Sequence, residues 1–341
     1  MKKDLLKGWF TFVMPMIINH RDKEGNPAKY GQQVEDNDLE RIIKIQLPTF
    51  KKFLNLDDLL EFIIISRKID IPIIKERLNR EFPEFPFVYY DEADLLPELE
   101  SHKVRLGRMW HPGWIIQQLA KLEISKYVKT EVYFSFETDL FLTKPFGMKQ
   151  LYNGDKLICS YFTKYKDTPT RESWHIQSTN VLYNIDTIEA EGLILDEKTQ
   201  NRKEDKILYI NKVMGVSPQV LVTNEVIGLI EFIEKRYNNN YKHVLMAHTG
   251  GHPTTWTEYS LYWLWLHKQD KLDDYYSFEP PFICSTELLT SNYKKGFDKE
   301  YFDNFDELVI NNKNHYFNII QSNISQISLD YIASKLKKHI K

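Results

Sequence analysis

Two carboxylates separated by one residue, Glu137 and Asp139, are the side chains in this sequence best suited to chemistry. They follow an aromatic and β-branched run, Val132–Phe136, that favours a buried strand, and an apolar run resumes at Leu140. Charges held between buried segments need a cation or another partner, because isolated buried charge is costly. At the carboxyl end of a strand in an open α/β sheet, such a pair predicts a site for Mg²⁺ or Mn²⁺. The alternative is a strand that ends in a solvated acidic turn.

A polar helix face precedes this acidic strand. The segment His111–Lys126 has helical spacing, and Gln118 and Lys121 lie on the face opposite its apolar residues. Because the helix leads directly into the acidic strand, we expect this face to border the same site. The alternative is an ordinary solvated face.

A second group of candidates lies near the end of the chain. Glu258 begins an aromatic helix, where partial burial would suit it as a general base, or where it is simply a favourable acid at a helix N-terminus. Just before it, paired glycines allow close backbone approach to a ligand, and we expect His252 and Trp256 to contact an acceptor. The alternative for the aromatic residues is a helix core. His315 is either a ligand or a surface imidazole beside a core strand.

The elements that must position these residues alternate between strands and helices. Continuous apolar runs predict buried strands at Trp9–Ile18, Glu61–Ser66 and Pro86–Tyr90, separated by helices at Asp36–Leu54 and Ile71–Glu81. This alternation is typical of a parallel βαβ sheet, so we predict an α/β fold. Further predicted elements are strands at Lys156–Phe162 and Ser178–Tyr183, a helix at Val220–Tyr237 that follows Val213–Val216 and Ser217-Pro218, a strand within Lys313–Ser325 and a closing helix to Lys338.

The composition narrows the class of protein. The chain has 341 residues and a net charge of −3 with both signs interspersed, which does not support nucleic-acid binding through a basic surface. Two distant cysteines, Cys159 and Cys284, predict free thiols in a reducing compartment. We expect no transmembrane segment and a cytoplasmic location.

Four segments carry a family resemblance when they are taken together. GWIIQQLAKL, VYFSFETDLFLTKPF, MGVSPQVL and WTEYSLY occur in this order. They resemble the blocks of GT-A-fold glycosyltransferase-like proteins of the DUF6492 type, in which the second block usually reads LDSD before a hydrophobic run and a proline. Here Glu137 replaces the first Asp of that block, and Asp139 matches the second.

The resemblance implies a fold and a function. It implies one GT-A-like, Rossmann-like domain over residues 1–341, with a mostly parallel sheet flanked by helices and a helical C-terminal end. A nucleotide-sugar-binding half would span about 1–140 and an acceptor-binding half about 141–341. The implied activity transfers a sugar from a nucleotide-sugar donor to a hydroxyl of a glycan or other acceptor, with Mn²⁺ or Mg²⁺.

The resemblance also implies residue roles. Glu137, Asp139 and His315 would hold the metal against the donor diphosphate, and Glu258 would deprotonate the acceptor hydroxyl. The remaining donor contacts would come from Arg67 and Asp70 at the base and ribose, from Gln118 and Lys121, and from Thr138 within the acidic turn.

Two other function classes remain open on the sequence. The first is a nucleotide-sugar or glycan-binding protein on the same fold that lacks catalysis. The second is a metal-dependent hydrolase or nucleotidyltransferase, which would release phosphate or pyrophosphate rather than a nucleoside diphosphate.

Overall fold

A five-stranded sheet lies at the centre of the computed structural model, which describes residues 9–18, 38–102, 112–162, 169–183, 213–214, 217–249, 255–284, 306–311, 313–319 and 329–340. From one edge to the other its strands are Gln219–Val222 (β10), Val132–Ser135 (β4), Phe10–Pro15 (β1), Leu59–Ser66 (β2) and Phe87–Asp91 (β3). β1 to β4 are parallel, and β10 joins the edge antiparallel to β4. The predicted α/β class with a mostly parallel sheet is confirmed.

The core of this sheet is aromatic. Every residue of β1 is buried, because helices cover both faces of a parallel sheet and leave no side for polar residues. Phe12 on β1 meets Phe62 of β2 and Phe134 of β4 edge to face, with ring centroids 5.5 and 5.2 Å apart. Phe136 lies 5.0 Å from Phe12, which anchors the residue next to Glu137 in the core.

The strand order reverses beside β1. The chain passes from β1 to β2 to β3 in one direction across the sheet, and β4 returns to the other side of β1. In open α/β sheets the crevice outside the carboxyl ends of the strands at such a reversal is the usual ligand site. Here that crevice lies between the ends of β1 and β4.

Helices flank the sheet, and a helical element closes the chain as expected. The first helical segment runs as Asp38–Arg41 (α1), a π-helical turn at Ile42–Gln46, and Leu47–Phe53 (α2). The next helices are Ile71–Glu81 (α3), Glu92–Leu95 (α4), Pro112–Glu123 (α5), Met148–Leu151 (α6), Pro169–Tyr183 (α7) and Thr223–Tyr237 (α8). The last are Tyr241–Ala247 (α9), Glu258–Lys268 (α10), Leu272–Tyr275 (α11) and Leu329–Ile340 (α12).

Short strands form the smaller sheets. Leu140–Leu142 (β5) pairs antiparallel with His315–Ile319 (β13), which pairs in parallel with Phe282–Cys284 (β12). The others are Tyr152–Asn153 (β6), Lys156–Ile158 (β7), Tyr161–Phe162 (β8), Val213–Met214 (β9) and Tyr276–Ser277 (β11). Ile332 and Leu336 of α12 pack on Phe141 of β5 and on Ile45, so the last helix supports the first helical segment.

Two predicted elements are wrong. Ser178–Tyr183 is the end of helix α7 rather than a strand, and its residues are buried or nearly so, which removes the one-sided apolar pattern of a surface helix. The helix predicted from Val220 begins only at Thr223, because Gln219–Val222 is the antiparallel edge strand. The apolar residues Val220–Val222 fit the period of a helix and that of a strand equally well, because the run is so short.

Cys159 and Cys284 are buried free thiols, as predicted. Among the helices that the structure describes, none is long and apolar enough to cross a membrane. The predicted division into two functional halves stays a prediction.

Candidate functional site

The acidic turn Glu137–Asp139 lies at the carboxyl end of β4, beside the end of β1. It thus occupies the crevice where the strand order reverses. The Glu137 side chain is 38% exposed, and that of Asp139 is 12% exposed. The sequence therefore placed this pair at the correct edge of the sheet, between the buried residues Phe136 and Leu140.

The first helical segment holds the turn from one side. Arg41 is 2% exposed and its Nη1 lies 3.2 Å from Oδ1 of Asp139. Gln46 is fully buried, and its Nε2 donates to the backbone oxygen of Glu137 at 3.1 Å. One cation and one amide therefore fix both ends of the acidic turn.

The π-helical turn explains why these two residues act together. Residues five apart in a regular α-helix point about 140° away from each other, since each residue turns the chain by about 100°. The π-helical turn Ile42–Gln46 widens the helix between Arg41 and Gln46, so both face Glu137–Asp139. Such turns often occur at functional sites.

Asp38 joins the turn to the end of β1. The hydroxyl of Thr138 donates to Oδ1 of Asp38 at 3.0 Å, and the backbone N–H of Ile17 donates to Oδ2 at 3.5 Å. Thr138 is 6% exposed and its hydroxyl is engaged in this way. Its described contact is therefore structural, and a direct contact with a donor sugar stays a prediction.

A buried cation supports the turn from the other side. Lys121 of α5 is fully buried, and its Nζ lies 3.1 Å from Oε1 of Glu258 and 3.3 Å from Oε1 of Glu137. The Tyr259 ring centroid lies 5.1 Å from the same Nζ, and the Tyr259 hydroxyl donates to the backbone oxygen of Ser135 at 3.0 Å. Helix α5 thus does border the acidic turn, as its polar face predicted.

The charges of this cluster are strongly coupled. Burial opposes the charge of Lys121, but Glu258, Tyr259 and Glu137 outweigh it and raise the pKa of Lys121 well above its usual value. Burial raises the pKa of Glu258, and the charge of Lys121 acts in the opposite direction. These opposing effects favour the charged form of Lys121, and Glu258 is its buried partner.

The complete burial of Glu258 argues against the general-base role expected of it. Its side chain has no exposed surface, and it begins α10 behind the Thr257 cap, whose hydroxyl accepts from the Ser260 N–H at 3.0 Å. A base must reach the proton that it removes, and a carboxylate enclosed beside Lys121 does not. Glu258 therefore positions Lys121.

Arg67 and Asp70 lie further along the same edge. They follow β2, two strands from β4 and thus about 10 Å from the acidic turn. Nη2 of Arg67 lies 2.6 Å from Oδ2 of Asp70, which is 4% exposed. Burial raises the pKa of Glu92, which follows β3, and the charge of Arg67 acts in the opposite direction. These residues form a second polar cluster at the same edge of the sheet.

Trp256, one of the two residues predicted to contact an acceptor, is not in a position to contact a ligand. Trp256 is fully buried, and its Nε1 donates to the Leu245 backbone oxygen at 2.8 Å and to the Thr249 hydroxyl at 3.0 Å. It is a core residue, so the predicted contact of Trp256 with an acceptor is wrong. His252 lies outside the described residues.

The predicted metal ligand His315 is not beside the acidic turn. On β13 it lies toward the end of β5 remote from Asp139, since Ile319 pairs with Leu140 and Phe317 with Leu142. Its Nε2 lies 2.8 Å from Oδ1 of Asn318, and burial lowers the pKa of His315 to about 4. The set of Glu137, Asp139 and His315 is therefore not gathered around one point.

The donor set for a metal is thus small. Over the residues that the structure describes, no three His, Cys, Asp or Glu side chains come close enough to hold one ion. Two carboxylates on one turn still fit Mg²⁺ or Mn²⁺, which commonly take one or two carboxylates and complete their shell with water and substrate phosphate. The turn fits a metal that arrives with phosphate rather than one held by a protein cage.

Trp114 lies on the same face of α5 as Lys121 and forms an aromatic pair with Trp174 that the sequence did not predict. Trp114 of α5 stacks on Trp174 of α7, with ring centroids 5.7 Å apart and planes at 30°. Both side chains are partly exposed, and Nε1 of Trp174 has no hydrogen-bond partner within the described residues. Gln118 lies between Trp114 and Lys121 along this face and is 2% exposed.

Arg41 and Gln46 were also missed. An α-helical projection places Arg41 away from the apolar residues Leu39, Ile42 and Ile43, where a charged residue predicts a solvated face. The π-helical turn changes that projection, and its sequence, IIKIQ, contains no signal that marks it.

Comparison with solved structures finds glycosyltransferases at low similarity. Mouse xyloside xylosyltransferase 1 is 9% identical with a TM-score of 0.46, over 93% of this chain and 99% of that chain. The galactosyltransferase LgtC, solved with donor and acceptor sugar analogues, is 7% identical with a TM-score of 0.43, over 96% of both chains. The PaToxG glycosyltransferase is 11% identical with a TM-score of 0.37, over 78% of this chain and 72% of that chain. Likenesses this weak assign neither activity nor substrate.

Sequence comparison gives a family. No protein of curated function matches the sequence. A model of the family DUF6492, described as a family of unknown function, matches residues 26–341. This match spans most of the chain and includes the acidic turn, Lys121 and Glu258, so the protein belongs to the DUF6492 family.

Proposed function

We propose that this protein is a GT-A-type glycosyltransferase that moves a sugar from a nucleotide-sugar donor to a hydroxyl acceptor. The observation that carries the proposal is the acidic turn Glu137–Asp139, placed at the strand-order reversal and partly open to solvent. A nucleotide diphosphate is a ligand suited to carboxylates that share a divalent cation, and this crevice is the usual ligand position in such a sheet.

Glu137 and Asp139 would hold Mn²⁺ or Mg²⁺ together with the donor diphosphate. When bound, the metal neutralises the negative charge that develops on the leaving nucleoside diphosphate. The chain's own contribution is to fix the two carboxylates: Gln46 holds the backbone of the turn, and Arg41 and Lys121 each contact one carboxylate. Preorganised groups of this kind favour catalysis because they need no rearrangement during the reaction.

The nucleoside would lie along the edge from β4 towards β2. Arg67 and Asp70 form a polar cluster about 10 Å away across β1, a separation suited to a nucleoside whose diphosphate lies at the acidic turn. Asp70 is held by Arg67 and can accept a hydrogen bond from a ribose hydroxyl. Its contact with ribose is part of the proposal.

The acceptor would lie over the Trp114–Trp174 pair. Trp114 lies seven positions before Lys121, which places the pair about 10 Å along α5 from the cation beside Glu137. Partly exposed indole rings bind apolar faces of ligands, and both rings of this pair are partly exposed. This pair takes the place of Trp256 as the proposed acceptor surface and favours a glycan as the acceptor.

One observation favours a second candidate, a nucleotide-sugar-binding protein without catalysis. Both carboxylates of the turn already contact a protein cation, Arg41 or Lys121. If these cations replace the metal altogether, the protein would bind a nucleotide-sugar and not consume it.

The cytoplasmic location also stays a prediction.

The experiment that tests the proposal measures nucleoside diphosphate released from a panel of nucleotide-sugars with Mn²⁺, by chromatography. Glycosyltransferases commonly hydrolyse their donor slowly without an acceptor, so one donor should yield its nucleoside diphosphate and free sugar. Binding of a donor without release would support the second candidate. Release of a nucleoside monophosphate and a sugar 1-phosphate would contradict both and indicate a hydrolase that cleaves the diphosphate bond.

A further inference from the structure

The carboxylate of Asp139 already has a buried cation. Arg41 is 2% exposed and its Nη1 lies 3.2 Å from Oδ1 of Asp139, whose side chain is 12% exposed. A guanidinium stays protonated in proteins, and a buried charge must be compensated. Arg41 is held in place from behind, because Ile45 on the same helical segment packs against Phe141 and against α12.

This arrangement opposes the binding of a metal alone. A divalent cation bound to Asp139 would lie within a few ångströms of the Arg41 guanidinium, and like charges repel strongly where solvent is sparse. Arg41 is 2% exposed and the Asp139 side chain is 12% exposed, and charges this buried are screened much less than exposed ones. Ile45, Thr138 and Phe141 line the same small cavity. The second carboxylate, Glu137, has Lys121 as a neighbour at 3.3 Å.

A bound diphosphate offsets this repulsion between the metal ion and Arg41. Its oxygens add negative charge beside Arg41 and Lys121 and supply the metal ligands that the described chain lacks. We propose that Arg41 is an internal counter-ion that makes divalent-metal binding at Asp139 conditional on a nucleoside diphosphate. The inference rests on the proposed donor site. By linkage, the metal must then strengthen nucleotide binding by the same factor.

The test measures Mn²⁺ binding to the intact chain from the electron paramagnetic resonance signal of free Mn²⁺, without nucleotide. Arg41→Gln removes the charge and keeps a polar side chain, and Lys44→Gln is the matched control. Lys44 lies in the same helical segment but pairs with Asp330 and Glu40 instead of the acidic turn. We expect Arg41→Gln to bind Mn²⁺ at least about tenfold more tightly than the wild type, and Lys44→Gln to match the wild type.

The second arm uses the wild-type protein alone, so it does not depend on the variant folding. Mn²⁺ affinity is measured with UDP, GDP, CDP and ADP in turn, each corrected for the Mn²⁺ that the nucleotide binds without protein, and we expect one of them to tighten Mn²⁺ binding to the protein at least about tenfold. Equal Mn²⁺ affinity in the wild type and Arg41→Gln would overturn the role of Arg41. Equal affinity with and without every nucleotide would overturn the conditional binding. Neither readout depends on turnover, so failure of donor hydrolysis is a separate result that bears on the proposed function.

Discussion

The Nζ atom of Lys121 lies 3.1 Å from the carboxylate of Glu258, and neither side chain has appreciable contact with solvent. This ion pair joins helix α5 to helix α10 directly beneath the acidic turn, because the same Nζ lies 3.3 Å from Glu137. It makes Glu258 a positioning residue and gives the turn a fixed cation on its inner side.

Removal of one partner of this pair should destabilise the protein more than removal of both. Glu258→Met leaves a buried ammonium short of a counter-charge, which we expect to cost about 3–5 kcal/mol of unfolding free energy. Lys121→Met should cost a similar amount, whereas the double variant should cost clearly less than the sum. Urea denaturation of the four proteins measures this. Additive losses would contradict a direct coupling of the two charges.

Neutralising the acidic turn should abolish metal-dependent nucleotide binding. Asp139→Asn keeps the shape of the side chain but leaves Arg41 without that carboxylate, so we also expect a loss of about 3 kcal/mol in stability. Asp139→Ala would lose shape as well, and is a poorer test. Calorimetric titration of nucleoside diphosphates with Mn²⁺, on protein whose circular dichroism shows it folded, measures the effect.

Glu137→Gln is the companion variant, since its more exposed side chain makes unfolding a smaller concern. We expect it to weaken Mn²⁺-dependent binding at least about tenfold. The matched control is Asp94→Asn, an exposed acid on helix α4. Wild-type binding by both Glu137→Gln and Asp139→Asn would contradict the proposed donor site.

The proposed acceptor surface predicts a selective loss. Trp174→Ala should abolish binding to an immobilised glycan array while it leaves nucleotide binding intact, because the pair lies about 10 Å along α5 from Lys121. Trp256→Phe is the control with a buried indole; it should lower stability and leave glycan binding unchanged. A Trp174→Ala variant that binds every glycan of the wild type would contradict the assignment.

His315 should make stability depend on pH. Its pKa is lowered by burial from 6.5 to about 4, so the folded state disfavours its protonation. The stabilisation is full above about pH 6.5 and is lost as the pH falls towards 4, by on the order of 3 kcal/mol. The His315→Gln variant should lose less stability than the wild type between pH 7 and pH 4.5 in urea denaturation. Equal pH profiles for the two proteins would contradict a buried, neutral His315.

The sequence predicted the parallel sheet well because its strands are continuous apolar runs. Glu61–Ser66 and Trp9–Ile18 lie at β2 and β1, and α3 has the predicted bounds Ile71–Glu81. Short segments were harder. Val220–Val222 alone fits a helix or a strand, and only pairing with β4 across the sheet decides it.

The candidate site was predicted in part for similar reasons. Glu137 and Asp139 stand out because charge interrupts a buried run, and Lys121 because its helix precedes them. Arg41 could not be found this way, since it reaches Asp139 across 98 positions of the chain and through a π-helical turn. The burial of Glu258 and Trp256 likewise arises from tertiary packing, which residue type alone does not reveal.

The most direct test of a nucleotide-sugar site at the acidic turn is a thermal-shift screen of nucleoside diphosphates and nucleotide-sugars, each with and without Mn²⁺. A ligand that binds only the folded state raises the melting temperature. We predict that nucleotides of one base raise the melting temperature of the wild type only when Mn²⁺ is present, and that Asp139→Asn abolishes this shift. A melting temperature that no nucleotide raises, with or without Mn²⁺, would contradict the account.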